Sequence, residues 1–184
     1  LDALRREADG WLTQGPFSVM RKTVVPPSGD KHDYLSFGPY WWPDPKKKDG
    51  LPYIRRDGEV NPQSLGPGSD RAVLENMAEG AETLALAWAF TGERAYAVRA
   101  GAYLAAWFLD PATRMNPHLN YGQGIPGQCE GRGIGIVETR RLLQVVNAAA
   151  LLEGSEALTR EQRQGLQAWF LAYLRWLRES EYGQ

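Results

Sequence analysis

Prolines dominate the segment from Pro26 to Gly68, which holds eight of the twelve prolines in the chain. Proline fixes φ and removes a backbone donor, so it breaks helices and is excluded from central strands. The residue before each proline is also biased toward extended conformations. The segment is therefore predicted to be irregular, and an irregular segment of this length is usually functional.

The same segment carries a dense group of aromatic side chains: Tyr34, Tyr40, Trp41, Trp42 and Tyr53. Rings held on a stiff backbone lose little entropy when a ligand stacks on them. Two tryptophans beside a proline can instead plug the end of a helical core. For five rings in one loop we favour a binding wall over such a plug.

Outside this segment, apolar residues recur with the 3.6-residue period of an α-helix. The predicted helices cover residues 1–14, 70–91, 94–109, 133–152 and 160–179. Thr159 and Gln162 have the spacing of a capping box for the last of these. Short loops between neighbouring helices indicate antiparallel hairpins, and no useful strand alternation is present. The pattern predicts an all-α fold with long irregular loops.

Four strings carry a resemblance that runs through nearly the whole chain: HDYLSFGPYWWPDP, GLPYIRRDGEVNP, NPHLNYGQGIPG and GRGIGIVETR. In this order they resemble the alginate lyase superfamily of polysaccharide lyases. The resemblance implies an α/α toroid, here an incomplete helical-hairpin barrel, that cleaves a uronic-acid polymer such as alginate or glucuronan by β-elimination. It also implies an acidic polysaccharide as partner and a periplasmic or secreted location.

The resemblance covers the N-terminal half of the family domain. We expect residues 1–184 to form a single lyase domain that is truncated on its C-terminal side. Family members continue with a segment containing Asn and His that the resemblance assigns to the catalytic centre. Residues 1–184 alone are therefore expected to be inactive.

The loop from Asn116 to Gln123 offers amides, an imidazole and a phenol within eight residues. β-Elimination from a uronate needs a group that neutralises the carboxylate, a base for the C5 proton and an acid for the leaving oxygen. His118 and Tyr121 suit the two proton transfers, while amide and guanidinium groups suit the carboxylate. A turn whose asparagines cap its own backbone is the other interpretation. The predicted substrate-binding residues are Tyr40, Trp41, Trp42, Asn116, Asn120, Gln123, Arg132 and Glu138.

Glu138 is predicted to lie in the middle of the apolar face of its helix, where an unpaired carboxylate would be costly. Arg141 and Arg132 are its candidate partners. A structural Glu–Arg pair is the favoured interpretation. The alternative is a pair at the floor of a cleft that orients an arginine toward the substrate.

Composition excludes several functions. The formal net charge of −1 gives no general attraction for nucleic acid, and no apolar run is long enough to span a membrane. The single cysteine, Cys129, is interpreted as a plain thiol. Two distant histidines form no zinc pattern, and GRGIG lacks the strand that a nucleotide fingerprint requires. No metal or cofactor is predicted.

Two rival functions stay open. The first is a carbohydrate-binding fragment without catalytic activity. The second is a glycoside hydrolase on a similar helical toroid, which would need two carboxyl groups across the scissile bond. Only Glu138 stands out as such a group, which counts against a hydrolase.

Overall fold

Helices form most of the regular structure. The computed structural model describes residues 1–183, and its α-helices are Asp2–Leu12 (α1), Arg71–Thr91 (α2), Arg94–Phe108 (α3), Leu142–Leu151 (α4) and Arg160–Glu179 (α5). Short 3-10 helices cover Val19–Arg21, Pro62–Leu65 and Gly133–Arg141. No helix within residues 1–183 is long and apolar enough to cross a bilayer.

One of the two units of the chain is built from helices. It comprises Leu1–Ser18, Val73–Arg114 and Thr139–Leu171. On α3, a stripe of side chains at helical spacing is almost fully buried: Tyr96, Ala100, Tyr103 and Trp107. The Tyr103 hydroxyl donates to the carbonyl oxygens of Trp11 and Gln14 beside the end of α1, both at 2.8 Å. The helical pattern in the sequence thus located this core correctly.

The other unit comprises Val19–Ala72, Met115–Glu138 and the residues from Ala172 onward. It contains two small sheets. Leu35–Phe37 (β1) pairs in parallel with Tyr121–Gly124 (β4), and Trp41–Trp42 (β2) pairs in antiparallel with Ile54–Arg55 (β3). The proline-rich segment is therefore only partly irregular.

The prediction of an all-α fold, an α/α toroid, is wrong as stated, because these two sheets accompany the five α-helices. The strands are two to four residues long, too short to show alternation in the sequence. One pair also joins residues more than eighty positions apart, Leu35 and Tyr121, which no local pattern can indicate.

Four predicted helices agree with the structure to within two residues at each end, and the fifth does not. Residues 133–141 form a 3-10 helix, and the α-helix begins only at Leu142. Gly135 allows this segment to approach Gly122 closely, because a Cβ there would lie 2.8 Å from the backbone of Gly122. Glycine is also a poor helix former. The capping box of α5 is confirmed by reciprocal bonds between Thr159 and Gln162.

A buried ion pair lies directly before the start of α2. Lys22 Nζ lies 2.9 Å from Asp70 Oδ2, and both side chains are fully buried. Asp70 also accepts the backbone N–H of Leu35 at 2.9 Å and donates its own N–H to the Leu35 carbonyl at 2.7 Å. Burial outweighs the effect of Lys22 and raises the pKa of Asp70 to about 6. These bonds hold the backbone directly before Arg71, the first residue of α2.

Candidate active site

A cleft of about 390 Å³ lies in the unit that contains the sheets. This volume is within the range of about 300–1,000 Å³ usual for ligand sites. It combines two aromatic rings, three guanidinium groups and one amide. Its lining residues are Pro39, Tyr40, Trp41, Arg55, Arg71, Gln123, Arg132, Ile134 and Val137.

Strand alternation decides which tryptophan faces this cleft. Trp41 is paired with Arg55 across the β2–β3 ladder, and Trp42 is paired with Ile54. Successive side chains of a strand point to opposite faces, so Trp41 and Arg55 share the cleft side. Trp42 instead lies beside Arg56, whose Cζ is 5.2 Å from the centroid of the Trp42 ring. The indole N–H of Trp42 donates to the Glu59 carbonyl.

Arg132 is held in place beside Trp41. Its Nε donates to the Gln123 carbonyl at 2.8 Å, and its Nη2 donates to Gln123 Oε1 at 3.0 Å. Its Cζ lies 5.9 Å from the centroid of the Trp41 ring, within the distance of a cation–π contact. Gly38 makes this approach possible, because a Cβ there would lie 2.6 Å from Trp41 and 2.8 Å from Arg132. Burial lowers the pKa of Arg132, yet arginine stays cationic in proteins.

Gln123 has a backbone conformation that is uncommon for a residue with a side chain. Its φ is +50°, in the left-handed region, which costs on the order of 1–2 kcal/mol for a residue other than glycine. Its N–H donates to Ser36 Oγ at 2.8 Å, and its carbonyl accepts Arg132. Such conformations persist where the surrounding bonds hold them, and they are concentrated at functional sites.

Glu138 lies behind the cleft and is 7% exposed. Its Oε2 accepts the hydroxyl groups of Tyr34 at 2.8 Å and Ser36 at 2.7 Å. Its Oε1 lies 3.9 Å from Nε of Arg71. Burial, together with the Glu138 carboxylate, raises the pKa of Tyr34 well above its usual value, so this phenol stays a donor. The ion-pair partner is thus Arg71, whereas the sequence suggested Arg141 or Arg132.

The residues predicted for proton transfer lie together beside a buried carboxylate. His118 Nε2 is 3.0 Å from Asp33 Oδ1, and the rings of His118 and Tyr121 are 6.5 Å apart in an edge-on arrangement. Asn116 donates to the same Asp33 oxygen at 2.7 Å, and the Ser28 hydroxyl donates to the other at 2.6 Å. These five residues are not among those that line the cleft, although Tyr121 shares strand β4 with Gln123.

The remaining predicted site residues are distributed as follows. Tyr40, Trp41, Gln123 and Arg132 line the cleft, and their role in substrate binding stays a prediction. Asn120 Oδ1 accepts the indole N–H of Trp176 at 2.8 Å. Cys129 lines a separate cavity of about 410 Å³, whose wall is mostly apolar and contains no arginine or lysine among residues 1–183.

Two of the three cleft arginines were missed in the sequence. Arg55 reaches the cleft because β3 pairs with β2, and Arg71 reaches it from the first turn of α2. A hairpin between YWW and YIRR would have indicated Arg55, since both strings hold strand-forming residues on either side of a glycine- and proline-rich turn. No local signal indicated Arg71.

This arrangement can bind a ring-shaped anion. An indole offers a stacking surface, and guanidinium groups offer paired donors that match the geometry of a carboxylate. Among residues 1–183, no cluster of three or more His, Cys, Asp or Glu side chains could hold a metal ion. None of the described cleft residues is an Asp or Glu. The cleft therefore combines a stacking surface with positive charge and no opposing carboxylate among its described residues.

Comparison with known proteins gives the family. A family model described as Alginate lyase matches residues 18–184, so the chain belongs to the alginate lyase family. A crystal structure of an alginate lyase from Bacteroides ovatus superposes with a TM-score of 0.94 at 46% sequence identity. The match covers 99% of this chain and 48% of that chain, so the sequence spans about half the length of the solved enzyme. A comparison with curated protein sequences gave no match.

Proposed function

We propose that the protein is a polysaccharide lyase that cleaves a uronic-acid polymer, of the alginate or glucuronan type, by β-elimination. The cleft around Trp41 and Arg132 binds one uronate of that polymer. A substrate of this size is degraded outside the cytoplasm, so we also propose a periplasmic or secreted location.

The observation that carries the proposal is the contact between Arg132 and Trp41 at the cleft wall. A sugar stacked on the indole would place its carboxylate beside a guanidinium that is already oriented by Gln123. Arginine has five N–H donors, and Gln123 takes two of them, so three stay available for a carboxylate. Arg55 and Arg71 add further positive charge to the same cleft.

Neutralising the carboxylate is the step that makes elimination possible. The C5 proton of a uronate becomes acidic when a cation stabilises the negative charge that develops on the carboxylate after proton removal. A base then removes that proton, the C4–O4 bond breaks, and an acid protonates the leaving oxygen. The product carries a double bond between C4 and C5 at its new non-reducing end.

We assign the acid and base roles to Tyr121 and His118. Asp33 accepts from His118 Nε2 and so fixes the orientation of the imidazole, in the way that carboxylates orient catalytic histidines. Tyr121 lies edge-on to that ring and on the same strand as Gln123. Removal of either group is expected to lower turnover about 10²–10⁴-fold, the usual contribution of a general acid or base.

A second candidate function is carbohydrate binding without catalysis. It is favoured by one observation: His118 and Tyr121 are not among the residues that line the cleft. A glycoside hydrolase has less support, because it needs two carboxyl groups facing the bond and the described cleft residues include none.

Product analysis of the full-length protein tests these alternatives. The protein is incubated with alginate, glucuronan and a neutral glucan as control, and the products are followed by ultraviolet absorbance and mass spectrometry. A lyase gives ultraviolet-absorbing, unsaturated oligouronates from a uronate polymer and leaves the glucan intact. Saturated fragments would identify a hydrolase, and intact polymer that binds to the protein would identify a binding module.

A further inference from the structure

We propose that Glu138 is a positioning residue that orients two arginines of the cleft toward the substrate carboxylate. It contacts Arg71 directly and reaches Arg132 through Ser36 and Gln123. This inference rests on the proposed function, since it concerns the same cleft, and it assigns a role to a carboxylate that touches no substrate itself.

The contact with Arg71 is an ion pair inside the protein. Glu138 Oε1 lies 3.9 Å from Nε of Arg71, and the two side chains are 3% and 25% exposed. Oε1 makes no hydrogen bond within residues 1–183, so the ion pair with Arg71 is the contact described for this oxygen. A buried charge favours the orientation of an opposite charge that approaches it. The attraction at Nε thus restricts the orientation of the Arg71 side chain, which also lines the cleft.

The connection to Arg132 is a continuous chain of hydrogen bonds. The Ser36 hydroxyl donates to Glu138 Oε2 at 2.7 Å, and Ser36 Oγ in turn accepts the N–H of Gln123 at 2.8 Å. The Gln123 carbonyl and side-chain oxygen then accept Nε and Nη2 of Arg132. Because the hydroxyl proton is committed to Glu138, the lone pairs of Ser36 face Gln123.

The left-handed backbone conformation of Gln123 explains why the position of Arg132 depends on this chain of hydrogen bonds. A φ of +50° is unfavourable for glutamine, so the bond to Ser36 helps to keep the residue in that conformation. When the bond is lost, Gln123 can return to an ordinary conformation and both of its acceptors move away from Arg132. The guanidinium then loses its fixed place beside Trp41.

Two hydroxyl groups donate to the same carboxylate oxygen of Glu138, so their removal gives a matched pair of variants. Tyr34 and Ser36 both donate to Glu138 Oε2, at 2.8 and 2.7 Å, and both are buried. Only Ser36 continues to Gln123. Tyr34→Phe and Ser36→Ala thus remove the same type of bond to the same atom, but only Ser36→Ala interrupts the connection to Arg132.

The direction in which Glu138→Gln changes the affinity for an oligouronate distinguishes two roles of the carboxylate. If the carboxylate acted only through its charge, its neutralisation would leave the cleft more positive and tighten the binding of an anionic sugar. If it positions the arginines, the neutral variant binds more weakly. We expect the dissociation constant for an oligouronate to rise at least fivefold. An unchanged or smaller dissociation constant would overturn the proposal.

The experiment uses the full-length protein and two readouts. Calorimetry gives the dissociation constant of an unsaturated oligouronate, and ¹H–¹⁵N NMR follows the Nε–H signal of Arg132, assigned by its loss in Arg132→Lys. We expect Ser36→Ala to weaken binding at least tenfold and to abolish protection of that Nε–H from exchange. Tyr34→Phe should change binding less than threefold and keep the protected signal, whatever its melting temperature.

The outcomes separate this inference from the proposed function. If the wild-type protein binds no uronate but Ser36→Ala alone releases Arg132, the proposed substrate is wrong and the positioning role stands. If the wild-type protein binds uronate and the two variants lose affinity equally, the bonds are merely structural and the positioning role is refuted. In the Arg132→Ala background, Ser36→Ala should cost little further affinity, whereas additive losses would also refute it.

Discussion

Removal of the Arg132 side chain is expected to abolish most of the activity. Three guanidinium donors remain after Gln123 has taken two, which is enough for a bidentate contact with one carboxylate. A charge-assisted bond contributes about 1.5–3 kcal/mol, so the loss of the contact should cost about 3 kcal/mol. At 1.4 kcal/mol for each factor of ten, Arg132→Ala should lower kcat/KM roughly 100-fold.

Arg132→Lys separates charge from geometry. Lysine keeps the positive charge, but its three donors cannot bond both Gln123 acceptors and also form two parallel bonds to a carboxylate. We expect an intermediate loss of about tenfold in kcat/KM. The matched control is Arg56→Ala, because Arg56 lies over Trp42 rather than over Trp41 and is not among the residues that line the cleft.

The assay is the initial rate of ultraviolet-absorbing product from a uronate polymer, measured across substrate concentrations. Circular dichroism confirms that each variant is folded at the assay temperature, because Arg132→Ala leaves two acceptors of Gln123 without their donor. The reasoning is refuted if Arg132→Ala keeps kcat/KM within threefold of the wild type, or if Arg56→Ala loses as much as Arg132→Ala.

Three further predictions follow from the same structure. Trp41→Ala should weaken oligouronate binding roughly tenfold, as measured by titration calorimetry, whereas Trp42→Ala should mainly lower the melting temperature. Equal effects of the two variants on binding would contradict the assignment of Trp41, and not Trp42, to the cleft. Lys22→Met should cost about 3–5 kcal/mol of unfolding free energy at pH 8, because Asp70 is left as an unpaired buried charge. The cost should shrink at pH 5, since the raised pKa of about 6 lets Asp70 bind a proton in the folded state, and urea unfolding at both pH values checks this. Thr159→Ala should remove about 1 kcal/mol of stability through the lost helix cap, without any change in oligouronate binding.

The sign of the pH dependence in the wild type follows from Asp70. Its pKa is higher in the folded protein than in the unfolded chain, where it is 3.8. The folded state therefore binds more protons between these two values, and the contribution of Asp70 to stability falls as the pH rises from about 4 through about 6. Denaturant titrations across this range should show that loss, and Asp70→Asn should reduce it.

The helices were predictable because their determinants are local. The stripe from Tyr96 to Trp107 and the capping box at Thr159 are both complete within one element. The sheets were not, because β1 and β4 meet only after the chain has folded and β2 has only two residues. Gly135 illustrates the same limit, since its close approach to Gly122 cannot be inferred from the sequence around either residue.

Residue type alone brought Trp41 and Arg132 into the set of predicted substrate-binding residues. Both line the cleft, while their role in binding stays a prediction. Which face of the sheet Trp42 and Arg55 occupy depends on the register of the β2–β3 ladder. A shift of one residue in that register would move every side chain to the other face. Glu138 was recognised as an unusual buried charge, but its partner depends on tertiary structure.

The most direct test of the central claim is a crystal structure of the full-length protein with a bound oligouronate, using Tyr121→Phe to prevent turnover. We expect one sugar ring to stack on Trp41 and its carboxylate to lie within hydrogen-bond distance of Arg132. An oligouronate that occupies another surface and leaves both residues free would contradict the assignment of this cleft.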